Sequence, residues 1–473
     1  MLFMYDQARD AFAALEITSG NLRILGPTTD IPGLAHGVFY YYFLAPLYFF
    51  GRGNPHFALT GLILVNLISL IPLGILIQKL FNNKIITLTA LLLYAVSLEA
   101  VSYARWISNP SLAIPALATF YLGCWQIINK EKIGWIFVAL GMGLAIQAQF
   151  FLMYIIPLFL IILFVFKVEL KEIKYLIASI ALLTTFLLSF LFAEIKFRFQ
   201  GILGLKDYFL QGGDYLADLP GYLNNYYVRS KEVITNNLVP QSEHFSVIIF
   251  LIALFIFVYF IKKERGGTTK LKFLLILLFS NILVQITSEL HSAFISLGIA
   301  FPILIIVSYA ICKLAKVIKI AAVFMLLLIV IFNIMAVDKD NQRGNPIFAL
   351  QEGVRLKDQF ALIEKTYEIA GNKQFSISAA TNPLFTPTTF AYLYDYYTKK
   401  NNKQLPHYHG NTASVFPGDH VFPRSGEITE TEFTLIESDL PEFWVKKAIE
   451  DDDLRKPVVD FYTFSNLKLL VRN

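Results

Sequence analysis

Apolar runs of roughly twenty residues, separated by short polar turns, repeat along the first 337 positions, and this pattern predicts helices that cross a bilayer. The runs fall near 57–78, 85–104, 111–128, 133–150, 151–166, 175–194, 245–261, 271–289, 293–312 and 318–337. A different pattern precedes them. Residues 1–56 open with YDQARD (5–10), pass through GPTTDIPGLAHG (26–37) and end in the aromatic run FYYYFLAP (39–46). After position 337 the hydrophobic runs stop. Residues 354–371 and 386–400 have helical spacing, 373–380 has strand spacing, and 432–438, 458–464 and 467–472 predict buried strands. Alternating helices and strands define a small α/β domain over 338–473. The fold expected is a polytopic α-helical membrane protein of about ten transmembrane helices with a C-terminal α/β domain.

Composition agrees with that class. Of 473 residues, 56% are hydrophobic, 16% are charged and 43 are Phe, whereas soluble chains carry about 25% charged residues. Mean hydropathy is +0.57. The formal net charge of +5 comes from turns on alternate sides of the spans: Lys79, Lys84, Lys130, Lys132, Lys167, Lys171, Lys174, Lys262, Lys263, Arg265, Lys270, Lys272, Lys313, Lys316 and Lys319. Short cytoplasmic loops retain Lys and Arg. That set is therefore expected to be cytoplasmic, in the plasma membrane of a cell, which leaves residues 1–56, the loop 196–244 and the tail 338–473 on the external face. Because the charge marks topology and is not gathered on one basic face, a nucleic-acid partner is excluded. A chain that starts outside with MLFMYDQ is expected to follow a missing transmembrane helix. Cys124 and Cys312 lie within predicted spans and are expected to be packing residues.

Motif chemistry narrows the choices further. P-loop, Rossmann, nucleophile-elbow and HExxH signatures are absent from the sequence. In the proline-containing stretch 401–427, His407, His409, Asp419 and His420 have spacings that match zinc sites poorly, so an ordinary exposed loop without metal is expected. No cofactor is required by any motif, and a divalent metal is left undecided. A juxtamembrane carboxylate can act as a general base toward an acceptor hydroxyl or amine. The electrophile suited to that position is a sugar on a membrane-borne phosphate, which needs cationic or hydrogen-bonding partners. Arg9, His36 and Arg105 are the candidates, with Tyr40, Tyr41 and Tyr42 at the interface.

YDQARD, GPTTDIPGLAHGVFYYYFLAP, YARWISNPSLAIP (103–115), GLAIQAQF (143–150) and TSELHSAFISLGIAFP (287–302), in that order, resemble the family 39 and ArnT-like membrane glycosyltransferases, relatives of dolichyl-phosphate-mannose protein mannosyltransferases. The resemblance implies a GT-C type bundle, a polyprenyl-phosphate sugar donor, transfer with inversion, and Asp6 as the catalytic loop aspartate. It also places His36 and Arg105 near the donor phosphate. A lipid, glycan or protein acceptor and membrane lipids are the other expected partners.

Each residue has a plainer role beside the functional one. Asp6 is a suitable N-cap for a helix beginning at QARDAFAALEI. Asp10, one turn later, is either a second acid or a partner for Arg9. Gln147, Gln149, Glu289 and His291 stand at span ends, where Gln147 and His291 are cavity-lining candidates and interhelical hydrogen bonding is the alternative. Glu194, Lys196 and Arg198 mark the interface, while Asp207, Asp214, Tyr215 and Asp218 are candidates for an acceptor groove. A transporter or flippase, and a non-catalytic relative, are the competing functions. Transporters favour repeats and ionisable residues at the midplane, features this sequence lacks.

Overall fold

A computed structural model describes residues 1–210, 219–284, 293–344, 354–424, 429–437 and 439–473. Glu289, His291, Asp214, Tyr215 and Asp218 lie outside the described residues. Five helices are long and apolar enough to cross a membrane: Pro55–Phe81, Asn109–Ile128, Ile173–Lys196, Glu243–Ile261 and Lys319–Arg343. The pair Lys84–Val96 and Leu98–Ala104 forms a sixth if its 61° bend is a break within one span. Gly134–Ala148, Phe150–Val165 and Ala300–Leu314 are shorter apolar helices. Each of these coincides with an expected run, and the run 271–289 begins in the helix Gly267–Leu278. The chain is an integral membrane protein. What changes is length, since Gly134–Ala148, Phe150–Val165 and Ala300–Leu314 are each too short to cross a bilayer straight.

Small residues set the centre of the bundle. The Asn109–Ile128 helix is buried along most of its length and packs on Gly134–Ala148 through Gly123 and Gly141. A Cβ on Gly123 would come within 2.6 Å of the Val138 amide nitrogen, so glycine is required for the approach. Lipid-facing helices differ. Ile173–Lys196 buries only Ser179 and Ala193. The basic turns gather at one end of the bundle, joined by Lys79–Glu131 at 2.7 Å, Lys132–Glu172 at 3.0 Å and Lys313–Glu264 at 2.8 Å.

At the other end, residues 1–56 fold as two helices, α1 (Tyr5–Thr18) and α2 (Phe39–Phe50). The N-cap of α1 is Met4 and not Asp6, because the Gln7 side chain accepts from the Met4 amide at 3.0 Å. Asp6 sits instead in the first turn, where the helix dipole favours a negative charge. α1 is packed into the fold, with Ala8, Ala11, Phe12, Ala13 and Ala14 buried.

The tail contains a five-stranded sheet in the order β2-β1-β3-β5-β4, with β1 Ser376–Ala380, β2 His407–Tyr408, β3 Glu432–Ile436, β4 Val458–Phe464 and β5 Leu467–Arg472. β1 runs parallel to β2 and β3, while β5 is antiparallel to both β3 and β4. β3 is fully buried as expected, and so is β1. β4 is not: Val458, Val459 and Phe461 are exposed on this edge strand, so the expectation of a buried strand there fails. The helix Glu442–Arg455 was not expected, because its apolar residues lack helical spacing and only Ala448 and Asp452 are buried.

The expectation of an exposed loop fails at His409. Its side chain is buried and its Nε2 lies 3.1 Å from Asp452, within a network where Ser378 and Thr434 donate to the same carboxylate. Burial pushes the Asp452 carboxyl up, but the hydrogen bonds from His409 and Ser378 hold it below its ordinary value. Among the described residues no group of three His, Cys, Asp or Glu side chains could hold a metal. Tail and bundle meet through Tyr392, whose ring contacts Phe3, Phe12 and Tyr48. Nearby, Gln359 donates to the Phe3 carbonyl at 2.8 Å.

Candidate functional site

α1 places Asp6, Arg9 and Asp10 within little more than one turn, on one side of the helix. Arg9 joins both carboxylates: its Nη1 is 2.8 Å from Asp6 and its Nη2 is 2.9 Å from Asp10, with Nε donating to the same Asp10 oxygen. Their environments differ sharply. The Asp6 side chain is 59% exposed and that of Asp10 is 2% exposed. Asp10 is therefore buried against Arg9, and Asp6 is the exposed carboxylate of the two. Burial pushes the Asp10 carboxyl up to about 6, with Arg9 and the Tyr41 hydroxyl opposing the rise. Asp10 and Asp6 together hold the Arg9 guanidinium well above its ordinary value, against the effect of burial.

His36 approaches from the loop between α1 and α2. Its Nδ1 accepts a hydrogen bond from the Phe150 amide at 3.0 Å. This leaves Nε2–H as the donor of a neutral ring. Burial, helped by the charge on Arg9, lowers the His36 pKa to about 3. The candidate for a cationic phosphate partner is thus a neutral hydrogen-bond donor, and the cation in its neighbourhood is Arg9.

Gln147 holds the loop in place. Its Oε1 accepts from the Phe39 amide at 3.2 Å, and its Nε2 donates to the Phe186 carbonyl and to Ser189 at 2.8 Å. Fully engaged in this way, it serves the interhelical alternative. Gly37 is required here because a Cβ would lie 2.6 Å from the Gln147 carbonyl oxygen. Gln149 is also buried, its Oε1 accepting from Asn109 at 3.2 Å.

Beside His36 opens a cavity of about 510 Å³ between loop residues 24–37 and the end of the Ile173–Lys196 helix. Its walls are largely apolar, including Ile24, Leu25, Phe150, Met153, Phe190 and Phe197. Glu194 stands on the wall and accepts from the Ile202 amide at 3.2 Å. Such a chamber suits an apolar chain with a polar head beside His36.

Two expected residues fall elsewhere. Tyr40 is fully buried, its hydroxyl without a hydrogen bond among the described residues, so it does not stand at the interface; Tyr41 is buried as well, while Tyr42 is 37% exposed. Arg105 ends the bent pair of helices, and the charge that reaches it is that of Asp340, near the start of the tail. It does not join the Arg9 cluster. Sequence reasoning passed over Glu99, whose Oε2 accepts from Asn237 at 2.6 Å, with Ser97 donating to Asn237 at 2.6 Å and Asn333 accepting from the Leu98 amide at 2.8 Å. A carboxylate inside an apolar run was the available signal. This network bridges the 61° break.

No known protein family matches the chain, and no curated protein matches it in sequence. Solved structures do. ArnT from Cupriavidus metallidurans in the apo state superposes with a TM-score of 0.55 at 10% identity, over 100% of this chain and 94% of that one. The same enzyme bound to undecaprenyl phosphate gives 0.53 at 8% identity over the same shares. The chain therefore has an ArnT-like membrane fold.

Proposed function

We propose that the chain is a membrane glycosyltransferase of the ArnT and family 39 kind, which transfers a sugar from a polyprenyl phosphate to an acceptor on the external face. One observation carries the reading. The first 38 residues carry an exposed carboxylate paired with Arg9, and the charge of Arg9 reaches a buried histidine that walls an apolar cavity at the end of a long apolar helix. The ArnT structure that holds undecaprenyl phosphate supports a prenyl-phosphate ligand for this fold.

Asp6 takes the proton from the acceptor hydroxyl or amine as that atom bonds to the anomeric carbon from the face opposite the phosphate. The bond from the anomeric carbon to the phosphate oxygen breaks, and polyprenyl phosphate leaves with the electron pair. His36 donates from Nε2 to the departing phosphate, and Arg9 supplies positive potential nearby. Asp10 and Gln147 position these groups. Arg105, Tyr40 and His291 enter the reading through the resemblance alone.

Purified protein given radiolabelled polyprenyl-phosphate sugar tests this. Donor consumption is expected to fall by about 10²–10⁴ in Asp6→Asn and to persist in Lys373→Gln, a change at an exposed ion pair with Glu430 in the tail. Turnover unaltered by Asp6→Asn refutes the base, while movement of intact donor across sealed vesicles without cleavage establishes the transporter instead.

A further inference from the structure

Where the first membrane helix begins, a second cavity of about 600 Å³ lies between Leu15 of α1, the turn 51–53, and Tyr392, Asp395, Tyr396, Lys399 and Lys400 of the tail helix Thr388–Asn401. We propose that it binds the phosphate headgroup of an anionic phospholipid and so clamps the tail domain to the bundle. This goes beyond glycosyl transfer and rests only on the chain spanning a membrane.

Three observations converge on that ligand. The first is charge: the walls carry Arg52, Lys399 and Lys400 against the single carboxylate of Asp395, which Lys399 already engages at 2.7 Å. Lys400 also lies within electrostatic reach of His56 on the membrane helix. Lysines in the last turn of Thr388–Asn401 complement that helix's dipole. The dipole gives no account of Arg52, which comes from a different element.

Backbone geometry is the second. Arg52 has φ +50° and Gly53 φ +78°. A non-glycine residue in the left-handed region costs roughly 1 kcal/mol, and such residues persist where the surroundings hold them. Here the Tyr392 hydroxyl donates to the Gly53 carbonyl at 2.7 Å, so the tail helix itself holds the turn that carries Arg52 into the cavity wall.

The third is depth. Pro55 starts the Pro55–Phe81 span, with Asn54 as its N-cap accepting from the His56 amide at 2.9 Å. Arg52 thus stands at headgroup level on the side of the membrane where the tail lies. Around it Phe49, Phe50 and Phe57 are 59%, 71% and 46% exposed. Exposed rings at the lip of a span meet acyl chains and headgroups, and a cationic cavity opening beside them meets lipid phosphate.

Native mass spectrometry and thermal unfolding of the purified full chain, with phosphatidylglycerol, phosphatidylcholine or inorganic phosphate added, read the site directly. Phosphatidylglycerol is expected to bind about tenfold more tightly than phosphatidylcholine, a preference weakened by salt. The Arg52→Gln/Lys399→Gln/Lys400→Gln variant is expected to lose it. Asp395→Asn removes the one carboxylate and is expected to tighten phosphatidylglycerol binding, which guards against loss through misfolding. An unchanged preference in the triple variant, or weaker binding in Asp395→Asn, overturns the proposal. Stabilisation by inorganic phosphate equal to that by phosphatidylglycerol overturns the lipid assignment. None of these readouts depends on sugar transfer.

Discussion

Lowering the pH through 6 protonates Asp10 and so releases the buried side of the Arg9 clamp. The Asp10 carboxyl stands at about 6 in the folded chain against an ordinary 3.8. Between those values the native state holds a proton that the unfolded state has lost. Stability therefore falls as pH rises through this window and is level above it. At 1.36 kcal/mol per pH unit, the change amounts to roughly 3 kcal/mol. Asp10→Asn removes the titration, and thermal unfolding of both proteins in detergent from pH 4 to 7.5 measures the difference. The wild type is expected to lose stability relative to the variant as pH rises to 6, then to run parallel with it. Comparing the two proteins cancels groups such as Asp452, whose lowered pKa makes its contribution disappear at the acid end. Activity is expected to move the other way, because ionised Asp10 fixes the guanidinium that orients Asp6. An acid limb in kcat/KM with a midpoint near pH 6 is expected in the wild type and absent in the variant. Parallel stability profiles across the whole range, together with identical acid limbs, would refute the reasoning.

Four other outcomes follow from the same geometry. His36→Phe keeps a planar ring but removes the Nε2 donor and leaves the Phe150 amide unpaired; transfer is expected to drop about 10²-fold, with the loss in donor turnover measured at saturating donor. Gly37→Ala forces a Cβ against the Gln147 carbonyl and is expected to cost about 1–3 kcal/mol, read as a lowered Tm. Asn237→Leu strips the buried Glu99 carboxyl group of its donor at a cost of about 1–3 kcal/mol, and addition of Glu99→Gln is expected to recover part of that Tm. His409→Ala opens the Asp452 network and is expected to increase proteolysis of the tail under conditions that spare the bundle.

Legibility varied with the range of the interaction. The hydrophobic runs and the strands β1 and β3 could be read because burial of a whole segment is written in its own residues. β4 misled for the same reason: VVDFYTF has the composition of a core strand, yet it occupies the sheet edge because β5 lies between it and β3. His409 looked like part of a polar loop because the groups that surround it, Ser378, Thr434 and Asp452, come from other elements. Glu99 was visible as a carboxylate in an apolar run, but its partners Asn237 and Asn333 were not.

The first loop shows the division most clearly. Sequence by itself determined that this is a membrane chain with an α/β tail, that Asp6, Arg9 and Asp10 share a helical segment, and that an aromatic run follows them. Those properties depend on periodicity and on neighbours three or four residues away. Only the tertiary structure decided which aspartate is buried and which is open, since burial is set by α2 and the bundle packed behind α1. It also decided that His36 is neutral, through an amide 114 residues away, and that Arg105 stands within the field of Asp340. Solvation and charge at a point depend on everything folded around it, and that environment is assembled from segments that no local pattern brings together.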